Sequence, residues 1–219
     1  IDDSNELIIL ALAGFDKLKL NEEPDDKGDE YLLSYLPLLK QETFTVGASY
    51  KHFGGGHIQT YSLGYNYLNN RSHKYLNNDD SSSENLIQNG SGLEGKAQIR
   101  FENRSYYGSW TVKEGAEIAF RHYDSHVIRK SMTGDDMIND TDVAFLMYGA
   151  HASAEYKAPM GKLNAAFGLR FDGSSFSDVT AQFWRQLSPR ASVSYMPWES
   201  WSFNASVGLY HQLPPVTAL

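Results

Sequence analysis

The 219-residue sequence has no cysteine, so neither a disulfide framework nor a thiolate metal site is open to it. Basic residues are outnumbered, with 19 Lys and Arg against 27 Asp and Glu, and the formal charge of −8 removes the basic stripe that a general nucleic-acid binder uses to draw in phosphates. Apolar residues never run unbroken for the roughly 18 positions of a membrane-crossing helix. That lack leaves a membrane strand open, because a barrel strand needs only about 9–11 residues with one apolar face. The chain starts at Ile1 without a basic n-region, so it shows no signal peptide and reads as a mature protein or a piece of one. GxSxG, HExxH and phosphate-loop patterns are missing too, and the glycines Gly54, Gly55 and Gly56 are expected to form a turn, since nothing helical follows them. No catalytic constellation emerges, and no enzyme or cofactor is expected.

What the chain does contain is alternation. Aromatics are plentiful, 14 Tyr, 11 Phe and 4 Trp, within a hydrophobic content of 41%. From Glu42 onward they fall into period 2. Phe44, Val46, Ala48 and Tyr50 share a parity opposite Thr43, Thr45, Gly47, Ser49 and Lys51; Tyr61, Leu63, Tyr65 and Tyr67 oppose Thr60, Ser62, Gly64 and Asn66. Leu93, Ala97, Ile99 and Phe101 oppose Glu94, Lys96, Gln98, Arg100 and Glu102. Trp110, Val112, Ala116, Ile118 and Phe120 oppose Lys113, Glu117 and Arg121, with Glu114 an exception on the apolar side. Residues 143–158 alternate less sharply; Leu163, Ala165, Phe167, Leu169 and Phe171 oppose Asn164, Gly168, Arg170 and Asp172. Two last runs, ending at Tyr195 and starting at Trp201, flank a Pro-Trp-Glu-Ser turn. Together these predict an all-β fold: an antiparallel up-and-down meander of about eight strands over residues 42–219.

Short links at 54–56, 103–109, 159–162 and 197–200 alternate with long polar links at 77–92, 131–142 and 173–187. Short turns at one end and long loops at the other are the layout of an outer-membrane barrel, with periplasmic turns and extracellular loops. Residues 1–41 differ. Asp3 followed by Glu6 suggests a capped helix start, and Leu7, Ala11, Leu12, Phe15 and Leu18 sit at helical spacing. A second helical stretch at 29–42 is interrupted by Pro37. This region is expected to be a partly helical extracellular excursion.

A soluble antiparallel sheet also alternates, so faces need a further argument. Lys96, Arg100 or Arg170 turned toward lipid at the bilayer midplane would each cost about 2–4 kcal/mol, which assigns the charged parity to a wet lumen and the apolar parity to lipid. Tyr195, Trp198 and Trp201 are then expected at the membrane interface, with Trp198 in the turn itself.

The stretches GLRFD (168–172), LSPRASVSYMPWESWSFNASVG (187–208) and GLYHQLPP (208–215) resemble successive barrel strands of TonB-dependent outer-membrane transporters. In that family a strand ending in an Arg-Tyr-Asp-like triplet leads to Ser-Pro-Arg and then to an aromatic periplasmic turn. Ser188, Pro189 and Arg190 match the Ser-Pro-Arg, Trp198 and Trp201 mark the turn, and Tyr210, Gln212, Pro214 and Pro215 end the last strand. The resemblance implies a 22-stranded barrel filled by an N-terminal plug. It also implies transport driven by the energy-transducing TonB complex and location in the outer membrane of a Gram-negative cell. Neither a plug nor an energy-coupling box occurs in these residues, and the chain stops in what should be a loop, so a fragment of such a transporter is expected. Its implied partners are outer-membrane lipid, its own plug, the TonB complex and a small-molecule or glycan ligand: a metal chelate, a cobalamin-like cofactor or a glycan.

The charged-parity residues Lys96, Arg100, Lys113, Glu117, Arg121 and Arg170 are the candidates for contact with ligand or plug. Cross-strand charge pairing that keeps a wet wall folded competes with that reading. Acidic stretches at 77–85 and 133–142 offer oxygen ligands without the order of an EF-hand, and are read as solvated loops. His122 and His126 share a strand face but lack a third ligand, so no metal site is expected. Two other readings fit the alternation: a small eight-stranded outer-membrane barrel with an adhesive or structural role, and a soluble β-sandwich or lipocalin-like binding module. An isolated fragment is expected to self-associate through its open edge strands.

Overall fold

Alternating polarity becomes, in the computed structural model, one antiparallel sheet in chain order, and the structure describes residues 3–19, 31, 33, 36–131, 133–198 and 200–211. The strands are β1 (Asn5–Leu18), β2 (Leu38–Gly54), β3 (His57–Tyr75), β4 (Leu86–Tyr107), β5 (Trp110–Lys130), β6 (Asp136–Lys157), β7 (Leu163–Ser174), β8 (Leu187–Trp198) and β9 (Trp201–Gly208).

There are therefore nine strands rather than eight. The extra one corrects the helix expected over 4–18: it is β1, paired with β2 from Asn5↔His52 to Leu18↔Leu39. The reason lies in its composition. Leu7, Ile9, Ala11 and Phe15 share one strand face while Ile8, Leu10 and Leu12 share the other, so a run apolar on both sides satisfies either period. Ladder pairing with β2 decides between them. Of the helix expected over 29–42, residues 29, 30, 32, 34 and 35 lie outside the described residues, Tyr31 and Leu33 are helical, and from Leu38 the stretch is already β2. Gln212, Pro214 and Pro215 also lie outside them.

Strands β3 to β6 run 19, 22, 21 and 22 residues, about twice the crossing length of a barrel strand. The expected long links shrink accordingly, to 76–85, 131–135 and 175–186. Polar residues such as Asn89 and Ser91 carry no parity signal, but hydrogen-bonded neighbours on both sides keep them in the ladder, opposite His73 and Arg71 on β3 and Ile128 and His126 on β5. At the long-loop end, Asp79 closes the 76–85 link: its carboxylate accepts from Ser81 N at 3.0 Å and from Asn85 Nδ2 at 2.9 Å. Those bonds, Ser81's first, hold its pKa below the usual carboxylate value. Nearby, buried Lys74 donates to the carbonyls of Leu33 and Leu36 at 3.0 and 2.9 Å and also meets Asn78, which fastens the end of the β1–β2 connection to β3. Burial pushes its ammonium pKa down.

The opposite end closes tightly. Gly54 pairs with His57 and Tyr107 with Trp110, leaving two-residue loops in which Gly56 has φ 100° and Gly108 φ 60°.

The described residues contain almost no interior: Ala119 and Phe145 are the buried apolar side chains. The apolar face is uncovered, with Leu63, Ile99 and Ile118 exposed by 61%, 71% and 59%. A soluble sandwich would lay a second sheet on that face. A complete eight-stranded barrel would pair its first and last strands, whereas β1 and β9 stand at opposite ends of the strand order.

Gly108→Ala tests the turn chemistry. A Cβ there meets nothing within 4 Å, so the cost is the backbone's alone, about 1–2 kcal/mol for positive φ. Gly55→Ala, equally open and without positive φ, should be near neutral in denaturant unfolding of the protein in detergent.

Candidate functional site: the charged face

Strand pairing sets the six charged candidates on one face, in an order the sequence does not show. Lys96 lies opposite Arg121, Arg100 opposite Glu117, and Lys113 opposite Arg104 on β4 and Ser153 on β6. Arg170 lies opposite His151 on β6 and Ser188 on β8.

Arg170 is the hub. Its Nε donates to Asp172 Oδ2 at 2.8 Å and its Nη2 to Asp172 Oδ1 at 2.7 Å, a two-pronged grip on one carboxylate. The same Nη2 reaches Glu117, although β6 lies between their strands. Gly149 makes that reach possible. It stands between Glu117 and Asp172 in the register, and a Cβ on it would fall 2.5 Å from Asp172 Oδ1 and 3.4 Å from Arg170 Nη2.

Other candidates are neutralised locally. Arg100 pairs with Glu102 at 2.7 Å, His151 stands 3.7 Å from the same Glu102, and Lys113 stands 3.9 Å from Glu155. Lys96 and Arg121 differ. Directly opposed and of like charge, neither has an ion-pair partner among the described residues. Lys96, Glu117 and Arg170 border a cavity of about 250 Å³, which Thr180 and Gln186 from the β7–β8 loop help to close.

Asp172, His151 and Thr180 were not among the candidates. Parity was a usable signal for the first two, since each shares the charged face with its partner; the loop residue Thr180 had none. Ser188 of the Ser-Pro-Arg stretch is buried, 3.3 Å from His211 Nδ1, while Arg190 lies 4.5 Å from the ring of Tyr210.

The uncovered apolar face ends in aromatics at the short-turn end. Tyr195 opposes Phe203 and Trp198 opposes Trp201, with a register shift between the two pairs. Trp198 is thus the last residue of β8 rather than part of the turn, and the irregularity turns it to the same side as Trp201. Trp110 and Tyr156 extend the row, their rings 5.0 Å apart. Glu114, the exception on this face, receives a hydrogen bond from Asn103 Nδ2 across the β4–β5 pair at 3.1 Å.

The family model for the TonB dependent receptor-like β-barrel matches residues 11–219. The chain belongs to the β-barrel family of TonB-dependent receptors. It is accordingly a stretch of outer-membrane barrel wall, and the family is one of receptors and transporters rather than enzymes. No curated protein matches it in sequence. Among solved structures, the copper transporter OprC superposes with a TM-score of 0.71 at 12% identity, covering 98% of this chain and 35% of that one. BauA, the ferric preacinetobactin receptor from Acinetobacter baumannii, gives 0.58 at 8% identity, covering 91% and 36%. At these identities the likeness is one of fold, and the chain spans about a third of each receptor.

Gly149→Leu should uncouple Glu117 from Arg170. In a double-mutant cycle of Glu117→Gln and Arg170→Gln, read by denaturant unfolding, contacting residues couple by about 0.5–3 kcal/mol. With Leu at 149 the coupling should fall to near zero.

Proposed function

We propose that this chain is a wall segment of a receptor that takes up a scarce anionic nutrient, a metal chelate before a cobalamin-like cofactor or a glycan, with energy from the TonB complex. The charged face is its lumen and meets ligand and plug; the apolar face meets outer-membrane lipid; the short turns are periplasmic and the long loops extracellular. The observation that carries the ligand class is the pair Lys96 and Arg121: two opposed cations without an ion-pair partner among the described residues, with Lys96 on the border of the cavity at Arg170. Like charges opposed across a ladder destabilise it, and an anion passing along this wall relieves that repulsion. A neutral glycan would not. The fold relative named as a ferric preacinetobactin receptor supports a ferric chelate within this class. β1 and β9, the edges of this segment, pair with further wall in the whole receptor; in an isolated segment they pair with another copy.

Two measurements test this. Lys96→Glu with Arg121→Glu should cut uptake of a ferric or cupric chelate at least tenfold in cells whose receptor is present at normal levels; unchanged uptake would sink the ligand class. For the faces, Ile99→Arg should cost about 2–4 kcal/mol in a bilayer and Gln98→Arg much less, and the reverse order would overturn the lumen and lipid assignment.

A further inference from the structure

The apolar parity of β5 and β6 changes character abruptly. On β5 it runs Ala116, Ile118, Phe120 and then His122, Asp124, His126; on β6, descending in number, Leu146 and Ala144 give way to Asp142 and Asp140. Twelve residues separate His122 from Trp110 in the aromatic row. At a rise of about 3.3 Å per residue and a tilt of about 40°, that is about 30 Å along the membrane normal, just beyond an apolar band of about 25 Å. On the face assignment proposed above, these side chains leave the wall outward, at headgroup level on the long-loop side, away from the charged face.

Register turns the two strands into one cluster. Asp124 opposes Asp142, His126 opposes Asp140, and His122 opposes Ala144. His122 Nε2 stands 3.2 Å from Asp142 Oδ1, and His126 Nδ1 meets Asp140. The donor atoms of His122, Asp124 and Asp142 lie within 4.8 Å of one another. The two histidines lacked a third ligand in the sequence; the neighbouring strand supplies carboxylates.

We propose that His122, Asp124 and Asp142 form a binding site for a divalent transition-metal ion of the Zn²⁺ type on the outer rim of the barrel wall. Three observations converge on it. Two carboxylates directly opposed on one face repel, and a cation between them removes that cost. One imidazole with two carboxylates is a borderline donor set that suits Zn²⁺, Cu²⁺ or Ni²⁺, whereas Ca²⁺ and Mg²⁺ prefer oxygen alone. The three side chains are solvent-accessible, so rotation brings their donors onto bonds of about 2.0–2.2 Å, with a fourth position left to water. His126 and Asp140, two residues further along each strand, hydrogen-bond each other and stand ready as outer partners. Such an ion would clip β5 to β6 above the membrane, independently of what passes through the lumen.

Calorimetric titration of the protein in detergent micelles with Zn²⁺ alone tests the site. One ion should bind, His122→Gln and Asp142→Asn should each weaken it at least tenfold, and His57→Gln, at the short-turn end, should leave it unchanged. Equal Zn²⁺ affinity in wild type and both variants, or Ca²⁺ bound as tightly as Zn²⁺, would overturn the proposal. Asp124→Asn guards against a folding defect: it removes one of the opposed carboxylates, so it should raise the Tm of the metal-free protein while abolishing the upward Tm shift that Zn²⁺ gives the wild type. A Zn²⁺ shift that persists in Asp124→Asn would count against the site.

Discussion

The cross-strand hydrogen-bonded ladder carries this molecule. A conventional domain buries apolar side chains against a second layer, and its strands are held by that burial; here the described residues bury Ala119 and Phe145 and little else that is apolar. Each strand is held by its neighbours' backbone groups, and its side chains are sorted to two faces by register alone. A slip of one residue in any pair would exchange the faces, carrying Arg170 to the Ile99 side. Long ladders, such as that from Gln88↔Arg129 to Tyr107↔Trp110, make such a slip costly because every pair along them would move together.

Small residues determine what the charged face can do once register is fixed. Gly149 leaves open the space through which Arg170 crosses β6 to Glu117, so a network spanning three strands is built around a missing side chain. Gly115 plays a similar part under His151, where a Cβ would fall 2.6 Å from the ring. Lys96 and Arg121 lie outside these networks, with their field directed at something other than the wall's own ion pairs.

Much of the fold was legible because alternation is a local property. Parity alone separates Ile99 from Arg100 and Ile118 from Glu117, and the composition of the turns marks where strands reverse. It failed at β1, where Leu7 to Leu12 are apolar on both faces and no local pattern distinguishes helix from strand; pairing with β2 made the choice. Strand ends failed for a related reason. Asn89, Gly90 and Ser91 have no parity preference, and only their neighbours on β3 and β5 hold them in the sheet.

The amino-acid sequence by itself determined the architecture, the two faces and the aromatic short-turn end, because each depends on residue type repeated at spacing two. Tertiary structure decided the partnerships. Which charges cancel across strands, as Arg170 does with Glu117, which stay opposed, as Lys96 does with Arg121, and which carboxylates stand beside His122 all depend on the register between strands. That register places side by side residues that are 18 to 53 positions apart in the chain, and no local pattern encodes it.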